Sequence, residues 1–174
     1  MKKGFSLKKA IRSIPDFPKP GILFRDITTL LKDKQAFKQA VDRLSNKYKN
    51  KKIDLVVAVE ARGFILGGAL AHKIGAGFVP VRKKGKLPAK TNSAAYDLEY
   101  GTDTLEIHHD AIEPGQKVLV VDDLLATGGT VRAVTELIEQ LKGKVAGIAF
   151  LIELVDLGGK DKLKGYPVYS LIKY

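Results

Sequence analysis

The chain has 174 residues, of which 45% are hydrophobic and 28% charged, a composition that fits one folded domain and excludes wholesale disorder. It contains no cysteine, which excludes a disulfide framework, a thiolate zinc site and a cysteine nucleophile. The net charge of +11 raises nucleic-acid binding, but residues 1–52 carry 15 basic and 4 acidic side chains while residues 53–174 carry 15 of each, so the excess reads as a lysine-rich solvated surface confined to the N-terminal third.

Ser6 is the expected cap of a short helix that runs to Ile14 and stops at Pro15. Residues 15–21 hold three prolines and a closing glycine and cannot be helical. Asp33 is the expected N-cap of a second helix, in which Phe37, Val41, Leu44 and Tyr48 recur at helical spacing. This helix ends in the basic run Lys47-Tyr48-Lys49-Asn50-Lys51-Lys52. Ile53–Val59 is apolar and β-branched, as a buried strand requires, and an apolar helix follows from about Gly63 to Ile74. Phe78–Arg82 predicts a short strand. Residues 83–97 are polar with no usable period and predict a long loop. Thr102–His108 alternates like a half-exposed strand. Val118–Val121 predicts a buried strand, Val131–Lys142 an amphipathic helix, Val145–Ile152 a strand and Tyr166–Ile172 a last one.

Apolar strands alternating with helices predict a parallel sheet covered on both faces, with ligands bound at the carboxyl ends of the strands. The unusual residues fall there. The run Val118-Leu119-Val120-Val121-Asp122-Asp123-Leu124-Leu125-Ala126-Thr127-Gly128-Gly129-Thr130 takes a buried strand into two acids, a small-residue turn and a helix. Gly128 and Gly129 let successive N–H groups converge, Thr127 and Thr130 add hydroxyls, and the helix dipole favours an anion, so the turn is a phosphate cradle. Two carboxylates beside a phosphate address something else, and vicinal sugar hydroxyls fit.

These thirteen residues resemble the 5-phosphoribosyl-1-pyrophosphate signature of the type I phosphoribosyltransferases. Four further blocks are similar to the adenine-using branch of that family. They are Phe17–Thr28, Val59-Glu60-Ala61-Arg62-Gly63-Phe64, Val81–Pro88 and Tyr96-Asp97-Leu98-Glu99-Tyr100-Gly101. The resemblance covers nearly the whole chain. It implies an α/β fold of the type I phosphoribosyltransferase kind, with a small N-terminal hood (about residues 1–35) over the base site and a catalytic lid with its flanking hairpin (about residues 82–108). It also implies transfer of the phosphoribosyl group from 5-phosphoribosyl-1-pyrophosphate to adenine, giving AMP and pyrophosphate in purine salvage.

The resemblance assigns roles residue by residue. Asp122 and Asp123 hold the ribose hydroxyls, and Ala126, Thr127, Gly128, Gly129 and Thr130 bind the 5′-phosphate. Arg62, with its cationic fork, and the lid residues Arg82, Lys83 and Lys86 meet pyrophosphate. Glu99 handles a proton near the purine; on the residues alone it is equally a solvated loop glutamate. Leu23, Phe24, Arg25 and Leu154 form the adenine site, although sequence alone reads Phe24 and Leu154 as core. Magnesium acts mainly through substrate oxygens and water, with no protein ligand set of its own. A homodimer in the cytoplasm is implied, with no membrane partner: no apolar stretch reaches the roughly twenty residues needed to cross a bilayer. The alternatives are transfer to another purine such as xanthine, or a non-catalytic regulator that senses phosphoribosyl pyrophosphate and binds nucleic acid. His72, His108 and His109 offer no converging metal set.

Overall fold

Seven strands form one sheet in a computed structural model that describes residues 6–97 and 101–174. In chain order the strands and helices are β1 Arg12–Ile14, β2 Phe24–Asp26, α1 Thr28–Lys32, α2 Lys34–Tyr48, β3 Leu55–Val59, α3 Arg62–Ile74, β4 Gly77–Lys83, β5 Thr91–Asp97, β6 Thr102–His108, β7 Lys117–Leu125, α4 Gly129–Gln140, β8 Lys144–Glu153 and β9 Val168–Lys173. The sheet order is β5-β6-β4-β3-β7-β8-β9. The strands from β4 to β9 in that order run parallel, whereas β6 is antiparallel to both β4 and β5. The chain divides into two compact units, Met1–Arg43 and Leu44–Tyr174, and the sheet lies in the second.

The central strands are apolar along their length because helices cover them. Val56, Val57, Ala58, Leu119, Val120 and Val121 are fully buried. On one side Val57, Val120 and Phe150 pack with Val131, Val134, Leu137 and Ile138 of α4, each such side chain contributing about 1.5–3 kcal/mol relative to an exposed one. On α3, Gly67 allows close approach to the sheet: a Cβ there would lie 2.6 Å from that of Ala58. Gly75 ends α3 in the left-handed conformation, at φ 74°, which glycine adopts without steric cost. In the first unit, Asp33 Oδ1 accepts the N–H groups of Gln35 and Ala36 at 2.8 and 3.0 Å, the expected cap of α2.

Three local expectations are revised. Ser6 makes no capping bond, and the expected first helix is a single 3₁₀ turn, Leu7–Ala10, followed by β1. Pairing of β1 with β2 aligns Arg12 with Asp26, and an ion pair between them favours the extended form. Residues 83–97 are not all loop, because Thr91–Asp97 forms β5 against β6 in a seven-residue register. Finally, β7 continues four residues past Val121, since pairing of Leu124 and Leu125 with Ile152 and Glu153 extends the ladder.

Candidate active site

The extension of β7 changes the setting of the two acids, which belong to the strand and not to the turn. Asp122 pairs with Phe150 of β8, and its Oδ1 accepts the Asp123 N–H at 2.8 Å. The Asp122 carboxylate lies against the first turn of α3, where a Cβ on Gly63 would come within 2.8 Å of Oδ1. Asp123 is 5% exposed, and its Oδ2 forms an ion pair with Arg62 Nε at 2.8 Å. Burial pushes the Asp122 carboxyl well above its usual range, and the charge of Asp123 adds to the push. Burial raises Asp123 too, against the pull of Arg62. Both acids line the cleft, Asp123 paired with the Arg62 guanidinium, and their oxygens can accept hydrogen bonds from hydroxyls.

Beyond Leu125 the chain turns through Ala126, Thr127 and Gly128 into α4. Gly128 sits at φ 82° as the residue before the helix, and its N-terminal N–H groups lack intrahelical acceptors. No acidic residue occupies the first turn of α4, so the positive end of the helix dipole is uncompensated locally. The cavity over this turn, lined by Ala126, Thr127, Gly128, Gly129 and Thr130 among others, is about 70 Å³. Gly159 supports the turn from behind, because a Cβ on it would lie 2.2 Å from the Ala126 carbonyl oxygen.

A larger cleft of about 300 Å³ adjoins the turn and is lined by Glu60, Arg62, Lys83, Tyr96, Asp122, Asp123, Ala126 and Thr130 among others. Six residues read from sequence as substrate contacts (Arg62, Lys83, Asp122, Asp123, and Ala126 and Thr130 of the turn) thus share one concavity. Arg82 and Lys86 are not among its lining residues. Arg82 instead donates to Glu60 Oε2, from Nε at 3.2 Å and Nη2 at 2.9 Å, and to the Lys86 carbonyl at 3.2 Å. Glu60 Oε1 accepts the Lys83 N–H at 2.7 Å. Burial opposes the Glu60 charge, but the Lys83 N–H and the Arg82 guanidinium outweigh it and hold the carboxyl below its usual value. Lys83 Nζ meets Asp103 Oδ2 at 2.8 Å, and that contact raises the lysine and lowers the carboxyl.

Sequence reasoning missed these carboxylate partners. Asp103 shares strand parity with the buried Leu105 and Ile107, and an acid in phase with core positions was the available signal. Tyr96, its cross-strand neighbour, donates to the same Oδ2 at 3.3 Å. Glu60 was visible only as part of a block, although an acid closing a buried strand beside an arginine is itself a signal.

Of the residues assigned to the base, Leu154 donates its N–H to the Leu125 carbonyl at 2.9 Å, at the end of β7. It is half-buried and not core. In the first unit, Leu23 is 48% exposed, Phe24 is half-buried with Phe17 edge-on at 5.2 Å, and Arg25 Nη1 donates to Ser13 Oγ. Glu99 lies outside the described residues. The histidines face unrelated partners: His108 Nε2 is 2.7 Å from the Pro88 carbonyl and His109 Nδ1 3.2 Å from Asn92 Oδ1. No helix among the described residues is long and apolar enough to cross a membrane.

Residues 28–173 match the family model of the phosphoribosyl transferase domain. The chain is 62% identical to the adenine phosphoribosyltransferase of Alkaliphilus metalliredigens, over 97% of this chain and 99% of the relative. The chain belongs to the adenine phosphoribosyltransferase family. The crystal structure of the family member from Thermoanaerobacter pseudethanolicus superposes with a TM-score of 0.94 at 56% identity, covering 97% of this chain and 98% of that one. The adenine phosphoribosyltransferase of Saccharomyces cerevisiae, solved with an imino-altritol bisphosphate and adenine, gives 0.90 at 43% identity, with 95% and 96% covered. The fold is therefore the type I phosphoribosyltransferase fold, and the chain is a transferase with adenine phosphoribosyltransferase function.

Proposed function

We propose that this adenine phosphoribosyltransferase takes its phosphoribosyl group from 5-phosphoribosyl-1-pyrophosphate and releases AMP and pyrophosphate, as a magnesium-dependent cytoplasmic homodimer. The observation that carries the residue assignment is the sharing of one cleft by Arg62, Asp122, Asp123 and the Ala126–Thr130 turn. In this reading Asp122 and Asp123 accept hydrogen bonds from the ribose hydroxyls and fix the sugar. The N–H groups of Ala126, Thr127, Gly128 and Gly129, with the Thr127 and Thr130 hydroxyls, hold the 5′-phosphate at the start of α4. Arg62 turns from Asp123 toward the pyrophosphate as it departs.

The bond from C1′ to the pyrophosphate oxygen breaks, a bond from C1′ to the adenine ring nitrogen forms, and that nitrogen gives up its proton, with Glu99 the proposed acceptor. Arg82, Lys83 and Lys86 are proposed pyrophosphate contacts that exchange their partners for the leaving group. For Arg82 and Lys83 those partners are Glu60 and Asp103, so each cation leaves a carboxylate to reach a more highly charged anion. Closure of the segment that carries them excludes water from a cation-like sugar. Leu23, Phe24 and Arg25 are proposed to meet adenine, and Leu154 likewise.

Among the described residues no group of three or more His, Asp or Glu is gathered for a metal. Magnesium would be held chiefly by diphosphate, ribose and water oxygens in the cleft that Glu60, Asp122 and Asp123 line. When bound, magnesium supplies charge neutralisation on the leaving pyrophosphate. The test is to supply phosphoribosyl pyrophosphate and magnesium with adenine, hypoxanthine, guanine or xanthine separately. AMP from adenine alone supports the reading; turnover of a 6-oxopurine overturns the base assignment.

A further inference from the structure

The catalytic cleft uses none of the basic run at the end of α2. That run, Lys47-Tyr48-Lys49-Asn50-Lys51-Lys52, holds four lysines and no acid, and in the second unit it borders a separate concavity of about 200 Å³. Lys47, Tyr48 and Lys51 line it on one side, and Ala146, Pro167, Val168 and Tyr169 on the other. No carboxylate is among the lining residues. Ala146 is near the start of β8 and Val168 opens β9. Both strands are parallel to β7, so this cleft is at the amino ends of the strands while Asp122 and Asp123 are toward the carboxyl end.

Two tyrosines, Pro167 and small apolar residues line the cleft, with lysines at the rim. Tyr48 is its fixed floor: the ring lies on Gly147, where a Cβ would come 3.1 Å from Cε1, and its hydroxyl donates to the Ile148 carbonyl at 3.4 Å. Tyr169 is half-buried, and Lys47 Nζ sits 5.4 Å from its ring centroid. Lys47 and Lys51 are one helical turn apart in sequence and exposed, as are Lys49 and Lys52 just outside the cleft. A flat ring against Tyr169, with its phosphates toward the lysines of the other wall, is the ligand such a surface complements. The lysines extend past the cleft, so they suit a run of phosphates better than a single one.

We infer that this cleft binds single-stranded nucleic acid, one base lying in the Tyr48–Pro167–Tyr169 concavity and the adjoining phosphates on Lys47, Lys49, Lys51 and Lys52. The shared chemistry is the nucleoside phosphate, which a free nucleotide also carries. The test measures binding of a fluorescent twelve-residue oligoadenylate RNA by anisotropy across a salt series, with unlabelled AMP as competitor. Four phosphate contacts give a slope of log affinity against log salt near −2.8, so affinity falls about 50-fold between 50 and 200 mM salt. Lys47→Glu/Lys51→Glu takes the slope to about −1.4 or shallower and weakens binding at low salt at least tenfold. Tyr169→Ala weakens it at least about fivefold through lost stacking.

The control is Lys34→Glu/Lys38→Glu at the start of α2, which changes net charge equally away from the cleft and leaves binding within about twofold if contacts are local. AMP formation by both charge variants stays at the parent rate, which shows that they fold. Equal losses from the two lysine pairs overturn the site in favour of undirected charge attraction. Absence of binding at low salt overturns it outright, and displacement of the RNA by AMP overturns the strand in favour of a free nucleotide.

Discussion

Three glycines of α3, two facing the sheet and one facing away, offer a comparison in which a single methyl group separates function from folding. A Cβ on Gly63 would stand 2.8 Å from Asp122 Oδ1 and 3.4 Å from the Val121 carbonyl oxygen. Ordinary carbon–oxygen contacts begin at about 3.3 Å, so Gly63→Ala forces the carboxylate back by about half an ångström. That oxygen accepts the Asp123 N–H at 2.8 Å, and leaving a buried donor without its partner costs about 1–3 kcal/mol. The gain from alanine in a helix returns up to about 1 kcal/mol. A net cost of about 1–2 kcal/mol falls on the carboxylates proposed to grip the ribose, so kcat/KM for phosphoribosyl pyrophosphate is expected to drop roughly tenfold. Gly68→Ala has nothing within 4 Å of the new methyl and is expected to raise Tm slightly at parent activity. Gly67→Ala meets Ala58 Cβ at 2.6 Å and Phe78 at 3.1 Å, and overpacking of that kind costs about 1–3 kcal/mol of stability with little change in kcat. Steady-state kinetics and thermal melts of the three variants separate these effects. Parent kcat/KM for phosphoribosyl pyrophosphate in Gly63→Ala would refute the reasoning.

Two further changes probe other parts of the fold. Gly128→Ala puts a side chain at φ 82° with its Cβ 2.4 Å from the Gly159 carbonyl oxygen; backbone must move at the phosphate turn, and kcat/KM is expected to fall on the order of 100-fold, with the far-ultraviolet circular dichroism unchanged. Asp26 is held at about 2 chiefly by the Arg12 guanidinium, with Thr28 assisting. Its stabilisation, about 1 kcal/mol once the exposure of Arg12 is allowed for, is present above the ordinary carboxylate value of 3.8 and lost as pH falls toward about 2. Asp26→Asn therefore has a lower Tm than the parent at neutral pH, and the gap closes through that acid window.

The central sheet was legible because buried parallel strands are continuous apolar runs, and Ile53–Val59 and Val118–Val121 need no partner to be recognised. The Ala126–Thr130 turn stood out for a different reason: two acids followed by Thr-Gly-Gly-Thr have no structural use that explains all of them. β5 was hidden because Ala94 and Tyr96 are its main inward signals, too few and too small to set a period against Lys, Asn and Ser neighbours. The reach of β7 through Asp122 and Asp123 was hidden by their polarity, since it is the ladder to β8 that keeps them in the strand. Arg82 and Lys83 were read as cations for pyrophosphate, yet their pairing with Glu60 and Asp103 joins residues 22 and 20 positions apart in sequence. Gly159, which backs the phosphate turn from 31 residues beyond Gly128, carried no local mark at all, because close backbone approach is a property of the folded chain.

The central claim is that Asp122 and Asp123 grip the ribose hydroxyls beside a phosphate held by the turn. Calorimetric titration with AMP and with 2′-deoxy-AMP tests it most directly. A hydroxyl donating to a carboxylate is worth about 1.5–3 kcal/mol, so the parent protein is expected to bind AMP at least about tenfold more tightly. In Asp122→Asn/Asp123→Asn that preference shrinks to within a few-fold. Equal affinity for the two nucleotides in the parent, or a preference that survives the double substitution, would contradict the account.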